Sequence, residues 1–350
     1  MKADDCSALI EVTRGNVVES IHYGAFVVMD SKGRVLAGEG SPQLQSYPRS
    51  SMKPFQALPF IERGGEQVFN FTDQEVALMC ASHSGTEMHT AVLSSMHRKI
   101  GTSEADLACG IHWPSSQPAR EALKLAGKTP NQFHHNCAGK HTGMLAHALL
   151  RGLAIENYLD PQHPVQISIR ETVAQMVGLD PEQMPMGIDG CSAPVYSIPL
   201  ENMAQGVAFL ADPVNLTDAR AAACRKITHA MMTNPIMVAG PGEFDTELMS
   251  AAGERLFSKM GAEGYLIIGV MPGVLRPHSP GLGIAIKISD GDRSGRARSA
   301  VAMTILSGLG LLDNLDLTMM AKFGNIPVKN WRKLNVGDIR PAFSIRNINS

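Results

Sequence analysis

The chain has almost no excess of charge: 31 Lys and Arg against 33 Asp and Glu leave a formal net charge of -2 over 350 residues. A field that weak does not draw in nucleic acid or an acidic membrane, so neither is expected as a partner. The short basic group at 293–298 reads as a solvated turn or helix start. Long hydrophobic runs are also missing. The most apolar stretch, 301–312, falls far short of the roughly 20 residues that span a bilayer. The N-terminus Met1-Lys2-Ala3-Asp4-Asp5 carries two acids where an export signal needs a basic region, and no apolar stretch follows. A cytoplasmic location is expected. No Cys-x-x-Cys pair occurs, which disfavours a structural zinc finger, and the six cysteines (Cys6, Cys80, Cys109, Cys137, Cys191, Cys224) are too irregularly spaced for a disulfide framework. Most read as buried small apolar residues. Repeats, low-complexity tracts and flexible linkers are absent.

What is present is a globular composition, 44% apolar, long enough for one large domain or two medium ones. The chain opens in β patterns at 8–13, 23–29 and 34–37, with Asp30-Ser31-Lys32-Gly33 as a hairpin turn. Helical periodicity then predicts helices at 54–62, 73–81, 86–100, 117–125, 140–151, 164–177, 195–210 and 216–232. Thr72 or Asp73 with Glu75 nearby, and Asp212-Pro213, read as helix starts. A Gly/Pro-rich loop covers 234–242, strands return at 265–270 and 283–288, and a helix follows over about 294–312. This order predicts an α/β fold in which an antiparallel sheet carries a helical lobe. It would form a single catalytic unit over 1–350, with a sheet-containing part at about 1–60 and 210–350 and the lobe at about 61–209. The site is expected in the cleft between sheet and helices.

The sharpest local signal is Arg49-Ser50-Ser51-Met52-Lys53-Pro54. Residues three apart in a helix share a face, so Lys53 can sit over the Ser50 hydroxyl. A buried lysine beside another cation can titrate low enough to take a proton from serine. Two further segments follow in the order found in acyl-serine enzymes: Ala81-Ser82-His83-Ser84-Gly85 after an apolar run, and Lys259-Met260-Gly261 ahead of a strand. Each alone is equally a turn, a cap or a surface lysine; their order is what raises the signal.

A second dense region is His134-His135-Asn136-Cys137-Ala138-Gly139-Lys140-His141, matched by Asp189-Gly190-Cys191-Ser192-Ala193-Pro194. Two thiolates on separate loops could hold zinc with one or two more ligands, and chemistry alone selects His135 or His141 as the nitrogen donor. The plain alternative is that both cysteines are packed thiols and Gly139-Lys140 starts a helix.

Taken together, these five motifs resemble the rhizobial-type (class 3) L-asparaginases of the asparaginase II family, from about Ile10 to Ser307. The chain lacks the Thr-Gly-Gly-Thr start of the common bacterial asparaginases and the processing threonine context of the plant type. The resemblance implies a fold similar to serine β-lactamases and glutaminases, a homodimer, and two Ser-Lys tandems, Ser50-Lys53 and Ser82-Lys259. It also implies zinc held by Cys137, Lys140 and Cys191, a lysine ligand that must be neutral. Arg49 and Asp189 match positions near the substrate, and His141 is counted with them. The implied reaction is deamidation of L-asparagine, with Ser50 attacking, Lys53 as base, and Ser82 and Lys259 relaying protons; either serine can be the nucleophile. Competing readings are a glutaminase, a β-lactamase-like serine hydrolase, a zinc-thiolate hydrolase and a non-catalytic amino-acid binding protein.

Overall fold

The computed structural model describes residues 2–312 and 317–345. Strands β1 (Ser7–Arg14), β2 (Val17–Asp30) and β3 (Val35–Glu39) open the chain. Four short strands follow: β4 (Gln45–Ser46), β5 (Met186–Ile188), β6 (Pro194–Tyr196) and β7 (Ile198–Pro199). The last five are β8 (Leu256–Met260), β9 (Tyr265–Val270), β10 (Leu282–Ile288), β11 (Ile326–Lys329) and β12 (Asn335–Pro341). The main sheet runs β11-β12-β1-β2-β10-β9-β8, with β3 also paired to β2. Each of its pairings is antiparallel.

The helices between are α1 (Lys53–Ile61), α2 (Gly65–Val68), α3 (Asp73–Met79), α4 (Glu87–Ile100), α5 (Gln117–Leu125), α6 (Ala138–Leu150) and α7 (Pro164–Val177). Then come α8 (Leu200–Ala211), α9 (Asp218–Thr233), α10 (Pro235–Val238), α11 (Phe244–Ala252), α12 (Arg296–Gly308) and α13 (Leu317–Phe323). This is the expected α/β arrangement, an antiparallel sheet with a helical lobe. Both sheet faces are covered. Tyr265 and Ile267 of β9 join the core under the helical lobe, while Leu266, Ile268 and Val270 join a second core with α11 and α12. Alternate residues point to opposite faces, so a strand buried on both sides reads as one apolar run. The approach of α8 to the sheet depends on Gly283, where a Cβ would lie 1.9 Å from the Ala204 carbonyl oxygen. No described helix is long and apolar enough to cross a membrane.

Several expectations need correction. The helix predicted at 195–210 begins only at Leu200; Val195 and Tyr196 lie in β6, and Ile198 and Pro199 form β7. A residue before proline is pushed out of the helical region, and Ala193 and Ile198 both precede one. Asp212-Pro213 starts no helix; Thr217 caps α9 by accepting the Arg220 N–H. Thr72 does cap α3: its hydroxyl accepts the Glu75 N–H while the Glu75 carboxylate accepts the Thr72 N–H at 2.7 Å. The 234–242 loop contains α10, and α11, β8, β11 and β12 were not foreseen.

Candidate active site

The Ser-x-x-Lys segment folds as a 3-10 turn, Arg49–Met52, that runs straight into α1. Ser50 is partly buried, whereas Ser51 and Lys53 are closed off from solvent. Arg49 has φ 54°, a left-handed conformation rare for a residue with a side chain and typical of constrained functional turns. Its guanidinium is held by Asp189, with Nη2 and Nε 2.6 and 2.8 Å from Oδ1. Asp189 sits in the turn between β5 and β6, where the Ser192 N–H donates back to its carbonyl.

Lys53 reaches across from α1 to the loop after α3. Its Nζ donates to the carbonyls of Ala81 and, at 3.5 Å, Asn136, and lies 3.1 Å from Ser82 Oγ. The amine has three acceptors within reach, two backbone carbonyls and the Ser82 hydroxyl. The described hydrogen bond thus joins Lys53 to Ser82, while Ser50 sits one turn ahead of the same lysine. The expected partner of Ser82, Lys259, lies in β8 and is fully buried. Its Nζ donates to the Met260 carbonyl at 2.7 Å and faces Asp245 Oδ2 at 3.6 Å. Burial, with Lys53 and Arg298 adding and Asp245 opposing, pulls its pKa from 10.5 down to about 8.

The two motifs are stitched together. Ser51, the serine inside Ser-x-x-Lys, donates its hydroxyl to the Lys259 carbonyl at 2.7 Å. Gly261 of Lys-x-Gly has a structural reason as well: a Cβ there would lie 2.2 Å from the Pro48 carbonyl oxygen. Arg298 from α12 donates to the Gly261 carbonyl at 2.7 Å. Asp245, Ser51, Arg298 and the Asn136 carbonyl escape sequence reasoning because nothing local marks them. The Lys-x-Gly spacing is the one hint that a backbone passes closely there.

The Asn136 carbonyl leads directly to the thiol cluster. Cys137, Lys140 and Cys191 are all buried, and Lys140 Nζ lies 2.9 Å from Cys191 Sγ. The hydrogen bond between the two cysteines, with help from Lys53 and Lys140, drives the Cys137 thiol well below its usual pKa. The same bond and burial push Cys191 up. Burial works against the charge on Lys140, yet the two sulfurs prevail and raise its pKa. Among the described residues no group of three His, Cys, Asp or Glu is placed to hold a metal. Two sulfurs and one lysine nitrogen form the soft, buried donor set. Gly139 lets α6 pack against α3, where a Cβ would meet the Leu78 carbonyl at 2.0 Å.

His135 Nδ1 accepts the Cys137 N–H at 3.0 Å, which turns that nitrogen to the backbone. His141 lies inside α6, fully buried, with Nδ1 2.7 Å from the Tyr158 hydroxyl. The Tyr158 oxygen also accepts the Ala108 N–H, and the buried His141 Nε2 has no hydrogen-bond partner among the described residues. Burial first, then Lys140, holds this imidazole neutral.

The L-asparaginase II family model matches residues 10–341, nearly the whole chain. The chain belongs to the L-asparaginase II family. Membership of this family supports an amidohydrolase acting on a small molecule. Among curated proteins nothing matches. Solved structures similar to this L-asparaginase II family chain include Mglu in its native form, at 14% identity and a TM-score of 0.45 over 84% of this chain and 66% of that one. A probable glutaminase from Bacillus subtilis, complexed with 6-diazo-5-oxo-L-norleucine, is 14% identical with a TM-score of 0.39 over 82% and 84%. A Bacillus glutaminase in 4.3 M NaCl is 13% identical with a TM-score of 0.38 over 82% and 91%. Similarity of this size carries no argument about substrate.

Proposed function

We propose that the chain is an L-asparagine amidohydrolase, converting L-asparagine to L-aspartate and ammonia through an acyl-serine intermediate. In this reading it works as a single catalytic unit, a homodimer in the cytoplasm. The observation that carries the mechanism is the buried Lys53 amine, 3.1 Å from Ser82 Oγ and one turn from Ser50, with two carbonyls to take its hydrogens. Ser50 Oγ attacks the side-chain amide carbon and its proton passes to Lys53. Backbone N–H groups, one of them from Ser50 itself, hold the oxyanion, each donor contributing about 3 kcal/mol. The proton moves from Lys53 to the amide nitrogen through the Ser82 and Lys259 relay, the C–N bond breaks and ammonia leaves. Water then attacks the ester, giving its proton back along the same relay, and aspartate departs.

Ser50 is the better attacking group because it adjoins the Arg49–Asp189 pair. That pair presents one positive and one negative charge to a zwitterion: Arg49 takes the α-carboxylate and Asp189 the α-ammonium. His141, neutral and buried behind Lys140, supports the substrate loop rather than exchanging protons. Zinc fits the cluster, since Cys137 already favours the thiolate and the three donors converge in a dry site. Cys137, Cys191 and Lys140 would hold it, and Lys140 would have to give up its proton. Bound there, zinc would supply a cross-link that orders the loops carrying Asn136 and Asp189. The test is ammonia release from L-asparagine and L-glutamine, with zinc removed or restored. Asparagine turnover that survives chelation supports the reading; a preference for glutamine, one methylene longer, would reassign the substrate.

A further inference from the structure

We infer that Asp245 is a positioning residue for the second lysine, fixing the end of β8 and serving as the counter-ion of Lys259. The inference rests on the Ser-Lys reading above and deepens it. Asp245 lies at the start of α11 and is 1% exposed. Its carboxylate is engaged by three consecutive residues of β8. Ser258 Oγ donates to Oδ1 at 2.7 Å, the Met260 N–H donates to Oδ2 at 2.8 Å, and Lys259 Nζ faces Oδ2 at 3.6 Å. One side chain thereby sets both the backbone position of Lys259 and the charge beside its amine.

The arrangement is more than packing because of what else faces Lys259. From α12 comes the Arg298 guanidinium and from α1 the Lys53 amine; Cys137 ahead of α6, Cys80 after α3 and Glu243 ahead of α11 also face it. Asp245 is the carboxylate in contact with the amine. The strand is held on its other side by the Ser51 hydroxyl on the Lys259 carbonyl and by Arg298 on the Gly261 carbonyl. Removing the charge of Asp245 while keeping its shape would leave the strand clamped and the buried amine facing Arg298 without the carboxylate in contact with it. The ammonium would then be less favoured, and Lys259 would give up its proton at lower pH. A purely structural Asp245 would not move that pH.

The test is the pH profile of ammonia release from L-asparagine by the full-length protein and three variants. In Asp245→Asn the alkaline rise should move to lower pH by about one to three units, the range for losing an opposite charge at this distance. In Ser258→Ala, which keeps the carboxylate, the rise should stay where it is. A folded Asp245→Asn protein with an unmoved rise overturns the inference. Lys259→Met separates this failure from failure of the parent reading: full turnover without Lys259 sinks the lysine's proposed role, whereas lost turnover with an unmoved Asp245→Asn profile sinks only the role of Asp245. Should Asp245→Asn fail to fold, the double variant Asp245→Asn/Lys259→Met decides. Recovery of a cooperative thermal transition once the unpaired ammonium is gone supports the counter-ion role, and continued failure to fold refutes it.

Discussion

Replacing Gly261 by alanine should do more harm to turnover than to folding. The added Cβ would lie 2.2 Å from the Pro48 carbonyl oxygen and 3.0 Å from Ser51 Oγ. Pro48 presents a backbone atom immediately ahead of the Arg49–Met52 turn, so it cannot rotate aside as a side chain would. To reach ordinary contact the end of β8 and the Ser-x-x-Lys turn must part by more than an ångström. Overpacking of this kind costs about 1–3 kcal/mol. Parting would also stretch the 2.7 Å bond from Ser51 Oγ to the Lys259 carbonyl, both groups being buried. With an unfolding entropy of about 2.1 cal/mol/K per residue, a loss of that size lowers Tm by only a few degrees in a chain this long. A displacement of about 1 Å between catalytic groups, in contrast, can cost about a hundredfold in rate. The expected protein is folded, melts a few degrees early, and releases ammonia from L-asparagine at least about tenfold more slowly, with the loss in kcat. The assay pairs a thermal melt with steady-state kinetics. Unchanged Tm together with unchanged kcat would refute the claim that Gly261 lets the two motifs meet.

Other consequences follow from the same geometry. Activity should rise with pH through about 8, where Lys259 loses its proton, and a flat or falling profile would count against a neutral amine in the mechanism. The same group affects stability. Its folded pKa lies below the unfolded value of 10.5, so the unfolded chain binds more protons between about 8 and 10.5, and the Lys259 contribution to stability grows as pH rises through that window. Cys137→Ala should lose bound zinc and raise KM more than it lowers kcat; metal content equal to the parent protein would end the zinc assignment. Thr72→Ala removes the α3 cap and should cost about 1 kcal/mol in a denaturant titration, while leaving turnover within twofold.

Periodicity located much of the fold. The helices at 117–125 and 164–177 and the strand at 265–270 were read with the bounds they have, because apolar spacing and flanking Pro or Gly agree there. Strand β8 escaped because two of its five residues, Ser258 and Lys259, are polar and yet buried. Their partner, Asp245, comes from α11, so no local pattern announces a strand. The Val195–Ile198 run is apolar enough for a helix, but the flanking Pro194 and Pro199 and the pairing with 45–46 and 186–188 make it extended. At the site, spacing placed Ser50 ahead of Lys53 and marked Gly261. The contact of Lys53 with Ser82 was out of reach, since it depends on how the loop after α3 packs on α1. The lysine–thiol contact was equally invisible to spacing and came only from family resemblance; chemistry alone had pointed to a histidine.

The central claim is that one buried lysine serves a serine nucleophile and its proton relay. The most direct measurement is ammonia release from L-asparagine by Ser50→Ala, Lys53→Ala and the double variant, each first checked for a parental thermal melt. The account predicts that either single change lowers kcat by at least about a thousandfold and that the double change costs little more, as for residues acting as one unit. Near-parental turnover by folded Ser50→Ala or Lys53→Ala would contradict it.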